Sequence, residues 1–137
     1  MPTDHLPLRD AGPEVRDAML FEPRATPAGT PLTQAREMFA NPHVKLLLVV
    51  GDDGRFAGTL TREDLRDDAT GDATVGDLAR ADAPRTGPGA PVGQAVELLQ
   101  ATGTDRLPVV DDDGRLCGLV CMDRSGTHFC VDAGRVG

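Results

Sequence analysis

The sequence repeats itself at an offset of 60 residues, and this repeat constrains the fold more than any other feature. Without gaps, 16 of the 44 positions from 15 to 58 are identical to the residue 60 positions later. The longest shared run, Asp52-Asp53-Gly54-Arg55, recurs as Asp112-Asp113-Gly114-Arg115. Such self-similarity indicates a duplicated structural unit. We therefore divide the chain into a first half, residues 1–70, and a second half, residues 71–137.

Each half carries the same predicted order of elements. A short helix is expected at 13–20 and at 75–81, followed by an extended link. A second helix is expected to begin near Pro31 and Pro91, because apolar residues follow at helical spacing. Strand pairs joined by Asp-Gly turns are expected at 46–50 with 56–60 and at 107–110 with 116–120. A last helix is expected only in the first half, because Ser125-Gly126 discourages it in the second. The residues before 13 and after 130 match no element.

Charge and composition exclude several classes of function. The net charge is −8, each half contributes −4, and the chain has four Phe but no Trp or Tyr. Nucleic acid binding requires clustered basic groups, usually with exposed aromatic rings, so we expect none. Binding to an anionic membrane is disfavoured on the same ground. The longest apolar run, Leu46 to Val50, is far too short to span a bilayer.

The chain has three cysteines, Cys117, Cys121 and Cys130. An odd number of cysteines without a signal-peptide pattern indicates free thiols in a reducing cytoplasm, where we expect the protein to act. Their spacing with His128 matches no established zinc pattern, so no metal site is predicted. The role of the three thiols stays open.

Several short motifs, each present in the order seen twice along the chain, resemble the CBS domain, the module first named after cystathionine beta-synthase. The motifs are Val15-Arg16-Asp17-Ala18-Met19, the helix start at Pro31 and Ala35, Leu107-Pro108-Val109-Val110-Asp111, Gly54-Arg55-Phe56-Ala57-Gly58 and Thr61-Arg62-Glu63-Asp64-Leu65. The resemblance covers about 15–68 and 75–124. It implies an α+β (α/β) fold in which two βαββα repeats pack through their sheets with pseudo-twofold symmetry, as in a CBS pair or Bateman module.

The resemblance also implies a function. CBS pairs commonly bind AMP, ADP, ATP or S-adenosylmethionine in a cleft between the repeats, and the bound ligand regulates shape or assembly. No catalysis and no required cofactor are implied; the adenosine compound is a ligand. A homodimer and a separate effector protein are the expected partners. The alternative is a structural or protein-interaction CBS module whose sites are degenerate and hold no small molecule.

The strongest candidate site residues are Thr61 and Asp64. At this spacing they predict an N-terminal cap in which the Thr61 hydroxyl accepts a backbone N–H and Asp64 reaches back. In the family, the matching Asp also accepts hydrogen bonds from ribose hydroxyls, and the two roles are compatible. In the second half these positions are Cys121 and Arg124, so at most one well-formed site is expected.

The remaining candidates depend on the resemblance and have simpler interpretations. Arg62 and Arg24 would meet a phosphate, or are solvated charges. The residues that would enclose the adenine are Ala25, Thr26, Leu46, Leu48 and Leu60. Burial in an ordinary core explains the same residue types equally well.

Overall fold

The computed structural model describes residues 3–8, 12–21, 23–42, 44–67, 73–123 and 125–132. The strands are β1 Thr3–Pro7, β2 Leu20–Phe21, β3 Thr26–Pro27, β4 Leu46–Val50, β5 Phe56–Thr61, β6 Arg106–Val110, β7 Leu116–Met122 and β8 His128–Asp132. The helices are α1 Leu32–Phe39, α2 Val75–Leu78 and α3 Val92–Thr102, with 3-10 helices at Val15–Asp17 and Arg62–Asp67. These elements form two compact units, Arg24–Ala83 and Met1–Pro23 with Pro84–Gly137.

The unit Arg24–Ala83 is built on a three-stranded sheet in the order β3-β4-β5. Strand β3 is parallel to β4, and β4 is antiparallel to β5. The sheet, both helices and the 3-10 helix of this unit contribute to one apolar core. Its buried members are Leu32, Ala35, Phe39, Leu47, Val49, Leu60, Leu65 and Val75. Helix α1 begins after Pro31, as the sequence predicts.

The other unit is built on a five-stranded sheet around β7. Strand β6 pairs with one edge of β7, and β2 and β8 pair with the other edge, since Leu119 faces both Pro108 and Leu20. Strand β1 extends the sheet beyond β8. Helix α3 contributes Ala95 and Leu99 to the core and ends at Gly103, whose φ of 71° gives the left-handed cap that glycine favours.

The compact units exchange their first segments relative to the two halves of the sequence. Leu20, from the first half, pairs with Leu119 of the second half. At the equivalent positions 60 residues away, Arg80 of the second half forms a bridge with Thr59 of the first half. The internal repeat therefore appears in both units, and each unit contains a hairpin from one half and a leading segment from the other.

The predicted short helices are the main error. Residues 13–20 were expected to be helical, but only Val15–Asp17 forms a 3-10 turn and the chain then enters β2. Sheet pairing of Leu20 and Phe21 overrides the weak local preference of so short a segment. The expected helix at 75–81 ends at Leu78, and its predicted cap is confirmed: Asp77 Oδ2 accepts hydrogen bonds from the N–H and hydroxyl of Thr74 at 2.9 and 3.1 Å.

The end of the second half differs from the first, as predicted, and in a way that the sequence did not indicate. No helix follows β7 within residues 123 and 125–132; a turn at Asp123–Thr127 leads into β8, which pairs with β1. Strands β1 and β8 were not predicted. The expected linker residues 68–72 and Arg124 lie outside the described residues.

Candidate functional site

One face of the β4–β5 hairpin belongs to the apolar core. Leu47 lies opposite Leu60, and both are buried in the core of the Arg24–Ala83 unit. Thr26 of β3 lies beside Val49, which belongs to the same core. Cross-strand neighbours share a face of a sheet. The side chains of the predicted site residues Leu60 and Thr26 are therefore on the core face, where burial explains them.

The opposite face of the hairpin collects the other predicted residues. Leu46 lies opposite Thr61, and Leu48 lies opposite Thr59. Because side chains alternate along a strand, these four residues point away from Leu47 and Leu60. The structure thus brings Leu46, Leu48 and Thr61 together on one surface and adds Thr59, which the sequence analysis did not single out.

Asp64 lies at the end of this surface, where β5 leads into the 3-10 helix. Its Oδ2 accepts a hydrogen bond from the Thr61 N–H at 2.8 Å and another from the Thr61 hydroxyl at 3.0 Å. Asp64 therefore reaches back as the cap pattern predicts. The Thr61 hydroxyl, however, donates to the carboxylate, whereas the sequence interpretation had it accepting a backbone N–H. The cap is tightened from one side only.

Asp64 is also half of an ion pair. Its Oδ1 accepts a hydrogen bond from Arg80 Nε at 2.8 Å, and the Asp64 side chain is only 6% exposed while that of Arg80 is 66% exposed. Burial alone would raise the pKa of Asp64. The hydrogen bonds from Thr61 and Arg80, with the charge of Arg80, outweigh burial and hold the pKa below its ordinary value. The carboxylate is therefore charged at neutral pH.

Arg80 is positioned by the backbone of β5. Its N–H donates to Thr59 O at 2.8 Å, and its carbonyl accepts from Thr59 N–H at 3.3 Å. Gly58, at φ +144°, leaves the space that this close approach requires. The sequence analysis missed Arg80 as a site residue. The one available signal was its position 60 residues after Leu20, and that signal becomes readable only once the pairing of Leu20 is known.

Arg62 has a structural task at the end of helix α1. Its Nη2 donates to the carbonyl oxygens of Phe39 at 2.9 Å, Val44 at 3.1 Å and Asn41 at 3.4 Å. Its guanidinium carbon also lies 5.5 Å from the centre of the Phe39 ring, a cation–π distance. The guanidinium thus satisfies carbonyls that a helix end leaves without partners. This placement gives no support to the predicted phosphate contact of Arg62.

Arg24 and Ala25 precede β3, and both are exposed. Lys45, the only lysine in the chain, is exposed immediately before β4. Their positions leave the predicted contact of Arg24 with a phosphate and of Ala25 with the base as predictions.

The equivalent position in the second half has a different chemistry. Cys121 takes the place of Thr61, is buried, and lies opposite Cys130 of β8. Asp123 is used by its own turn: its Oδ1 accepts from the Ser125 hydroxyl at 2.8 Å and from the Gly126 N–H at 3.0 Å. Those bonds, the one from Ser125 foremost, lower the pKa of Asp123 against a smaller effect of burial. Asp123 is thus a turn residue, as its simpler interpretation holds.

Two other kinds of site were sought in the same residues. The described part of the chain contains no group of three or more His, Cys, Asp or Glu side chains that could hold a metal ion, and its three cysteines are free thiols. None of the described helices has the length and apolar character needed to cross a membrane.

Curated proteins that match the chain are enzymes much longer than it. Over 106 residues the chain is 30% identical to the inosine-5'-monophosphate dehydrogenase of Thermoplasma acidophilum, which is 77% of this chain and 20% of that enzyme. The chain spans about a fifth of the length of the curated relatives that it matches. The match concerns only the part of these enzymes that resembles a CBS module.

Solved structures with the same fold include two nucleotide complexes. CBSX2 in complex with AMP superposes with a TM-score of 0.69 at 25% identity, covering 84% of this chain and 93% of that one. The cytosolic domain of the Mg²⁺ channel MgtE in complex with ATP gives a TM-score of 0.66 at 25% identity, covering 79% and 45%. These likenesses confirm the mixed α and β fold class.

The CBS domain model of protein families matches the chain twice, at residues 15–70 and 75–124. Both matches agree with the extent of the internal repeat, and together they cover most of the sequence. With the fold and the strand-to-helix junction at Asp64 described above, they establish that this chain belongs to the CBS domain family and carries two CBS domains in tandem.

Proposed function

We propose that this protein is a regulatory module that binds an adenosine-containing ligand at Asp64 of the Arg24–Ala83 unit. AMP, ADP, ATP and S-adenosylmethionine all share the group that this residue would recognise, a ribose with two neighbouring hydroxyls. The observation that carries the proposal is a charged carboxylate, 6% exposed, held at the end of a strand by Thr61. An ionised carboxylate accepts hydrogen bonds only, as a ribose diol requires.

The surface next to Asp64 supports the same ligand class. Leu46 and Leu48 give one face of the hairpin an apolar character, and Thr59 and Thr61 add hydroxyl groups beside them. An adenine ring needs such a combination of apolar contact and a few polar groups. The nucleotide complexes of CBSX2 and of the MgtE cytosolic domain support an adenine nucleotide as the ligand.

In this proposal the module regulates and does not catalyse. Binding shifts the population of conformations or assemblies, and the change is passed to a separate effector protein. We expect a homodimer at micromolar concentration, which light scattering would check. The three free thiols support action in the reducing cytoplasm.

The test is thermal unfolding with AMP, ATP and S-adenosylmethionine, one at a time, on the wild type and on Asp64→Asn. A ligand at 100 times its Kd adds about 2.7 kcal/mol to the free energy of unfolding, on the order of 8 °C in Tm for a chain of this size. The matched control is Asp77→Asn, since Asp77 makes the same contacts with Thr74 but is exposed. We expect the shift in the wild type and in Asp77→Asn and its loss in Asp64→Asn.

The second candidate is a structural or interaction module without a ligand. It is favoured by the second half, where Cys121 replaces Thr61 and Asp123 is engaged in its own turn. It predicts a dimer and no change of Tm with any of the three compounds. Equal shifts in the wild type and in Asp64→Asn would move the binding site elsewhere and end the Asp64 proposal.

A further inference from the structure

Arg80 occupies the acceptor atom that a ribose would need. Oδ2 of Asp64 already accepts two hydrogen bonds from Thr61, and each carboxylate oxygen offers about two acceptor positions. The capacity that remains is on Oδ1, which Arg80 Nε holds at 2.8 Å. A ribose diol has two hydroxyl donors, so a ligand that uses both has to compete with the arginine.

The two partners of this ion pair differ in how easily they separate. The Asp64 side chain is almost fully buried and cannot move to water, whereas the Arg80 side chain is 66% exposed. The Arg80 backbone is held to Thr59 by two hydrogen bonds at 2.8 and 3.3 Å. Displacement therefore moves the guanidinium while the base of its side chain stays beside Asp64.

The displaced guanidinium decides which ligands gain from binding. A neutral nucleoside replaces a charge-assisted hydrogen bond and leaves the arginine without its carboxylate. A ligand with a phosphate offers the guanidinium a new anionic partner, which it can bind through two parallel N–H donors. In a chain of net charge −8, local positive charge is also what makes an anion acceptable.

We propose that Arg80 is a specificity-determining residue of the Asp64 site, which excludes neutral nucleosides and admits ligands that carry an anionic phosphate. This inference rests on the proposed function, because it requires ligand binding at Asp64. It adds the class of ligand, a nucleoside phosphate, and the residue that selects it. Arg62, fixed on the carbonyls of Phe39, Val44 and Asn41, is not needed for that selection.

The experiment measures the Kd of AMP and of adenosine by calorimetry for the wild type and for Arg80→Ala. We expect the substitution to tighten adenosine binding and weaken AMP binding, each by about tenfold, or about 1.4 kcal/mol. The ratio of the two Kd values then changes by about 100-fold. The matched control is Arg55→Ala, because Arg55 is also 66% exposed and paired through Nε with an aspartate of the same unit, Asp53.

Every outcome is decisive. An unchanged ratio in Arg80→Ala, with binding retained, would overturn the role of Arg80 and leave the proposed function standing. Binding of neither compound to any variant would overturn the proposed function and this inference with it. If Arg80→Ala fails to fold by circular dichroism, Arg80→Gln keeps a hydrogen-bond donor without the charge and is read in the same way. A change of ratio in Arg55→Ala as large as that in Arg80→Ala would assign the effect to net charge.

Discussion

A Cβ atom on Gly58 would lie 2.6 Å from the carbonyl oxygen of Arg80, so this contact between strand β5 and the segment after α2 requires a glycine. Gly118, which occupies the same place in the repeat, meets Leu20 in the same way: a Cβ there would lie 3.0 Å from the Leu20 carbonyl oxygen. The conserved spacing of these two glycines within the chain thus reflects the close approach of a leading segment to each hairpin.

Gly58→Ala should destabilise the protein by about 2 to 4 kcal/mol, because it adds backbone strain at φ +144° to a collision with a fixed carbonyl. The measurement is urea unfolding followed by circular dichroism. Gly29→Ala is the matched control, since a Cβ at Gly29 has no heavy atom within 4 Å. Equal losses in the two variants would contradict the packing argument.

The charge of Asp64 should make stability depend on pH in the acid range. Its pKa is lowered in the folded chain, since the hydrogen bonds from Thr61 and Arg80 outweigh burial. Its contribution is therefore complete above the unfolded pKa of about 3.9 and is lost as pH falls through the lower folded value.

Asp64→Asn should cost about 1 to 2 kcal/mol at pH 7, a range that allows for the exposure of Arg80. The difference between wild type and variant should shrink as pH falls below about 4. Urea unfolding at several pH values from 7 to 2.5 measures it. A difference that stays constant over this range would show that the carboxylate charge contributes nothing.

The sequence predicts those parts of the fold in which local pattern and tertiary pairing agree. Helices α1 and α3 have apolar residues at helical spacing after a proline, and the β4–β5 and β6–β7 hairpins have Asp-Gly turns between apolar runs. The resemblance to CBS domains then identifies Asp64, because its motif is local: Thr61 and Asp64 are three residues apart.

Features that depend on distant pairing were missed. Strand β1 pairs with β8 at the other end of the chain, and Thr3–Pro7 carries no local strand pattern strong enough to predict it. The first helix was wrong because Leu20 pairs with Leu119, about 100 residues later. Arg80 was missed for the same reason, since its partner Asp64 belongs to the other half of the sequence.

Arg62→Ala should lower the free energy of unfolding by about 1 to 2 kcal/mol and leave ligand affinity unchanged. The substitution removes the donor shared by the carbonyls of Phe39, Asn41 and Val44 and the contact with the Phe39 ring. Urea unfolding and calorimetry with AMP measure the two effects. A Kd for AMP raised tenfold or more would restore Arg62 as a ligand residue.

Cys121 should make the protein lose stability in alkali. Burial, with the hydrogen bond from Cys130, raises the pKa of the Cys121 thiol to about 12, above its unfolded value of about 8.5. Its contribution is complete below pH 8.5 and is lost as pH rises towards 12, by up to about 1.4 kcal/mol per pH unit. Few other groups titrate there, because the chain has no tyrosine and one lysine.

The measurement is urea unfolding of the wild type and of Cys121→Ala between pH 6 and 11. Below pH 8 the two stability curves should run parallel, offset only by the packing lost with the sulfur atom, and this range is the internal control. Above pH 8.5 the wild type should fall more steeply, so that the curves converge. Curves that stay parallel up to pH 11 would mean that the Cys121 thiol ionises as readily in the folded chain as in the unfolded one, which its burial in strand β7 opposite Cys130 does not allow.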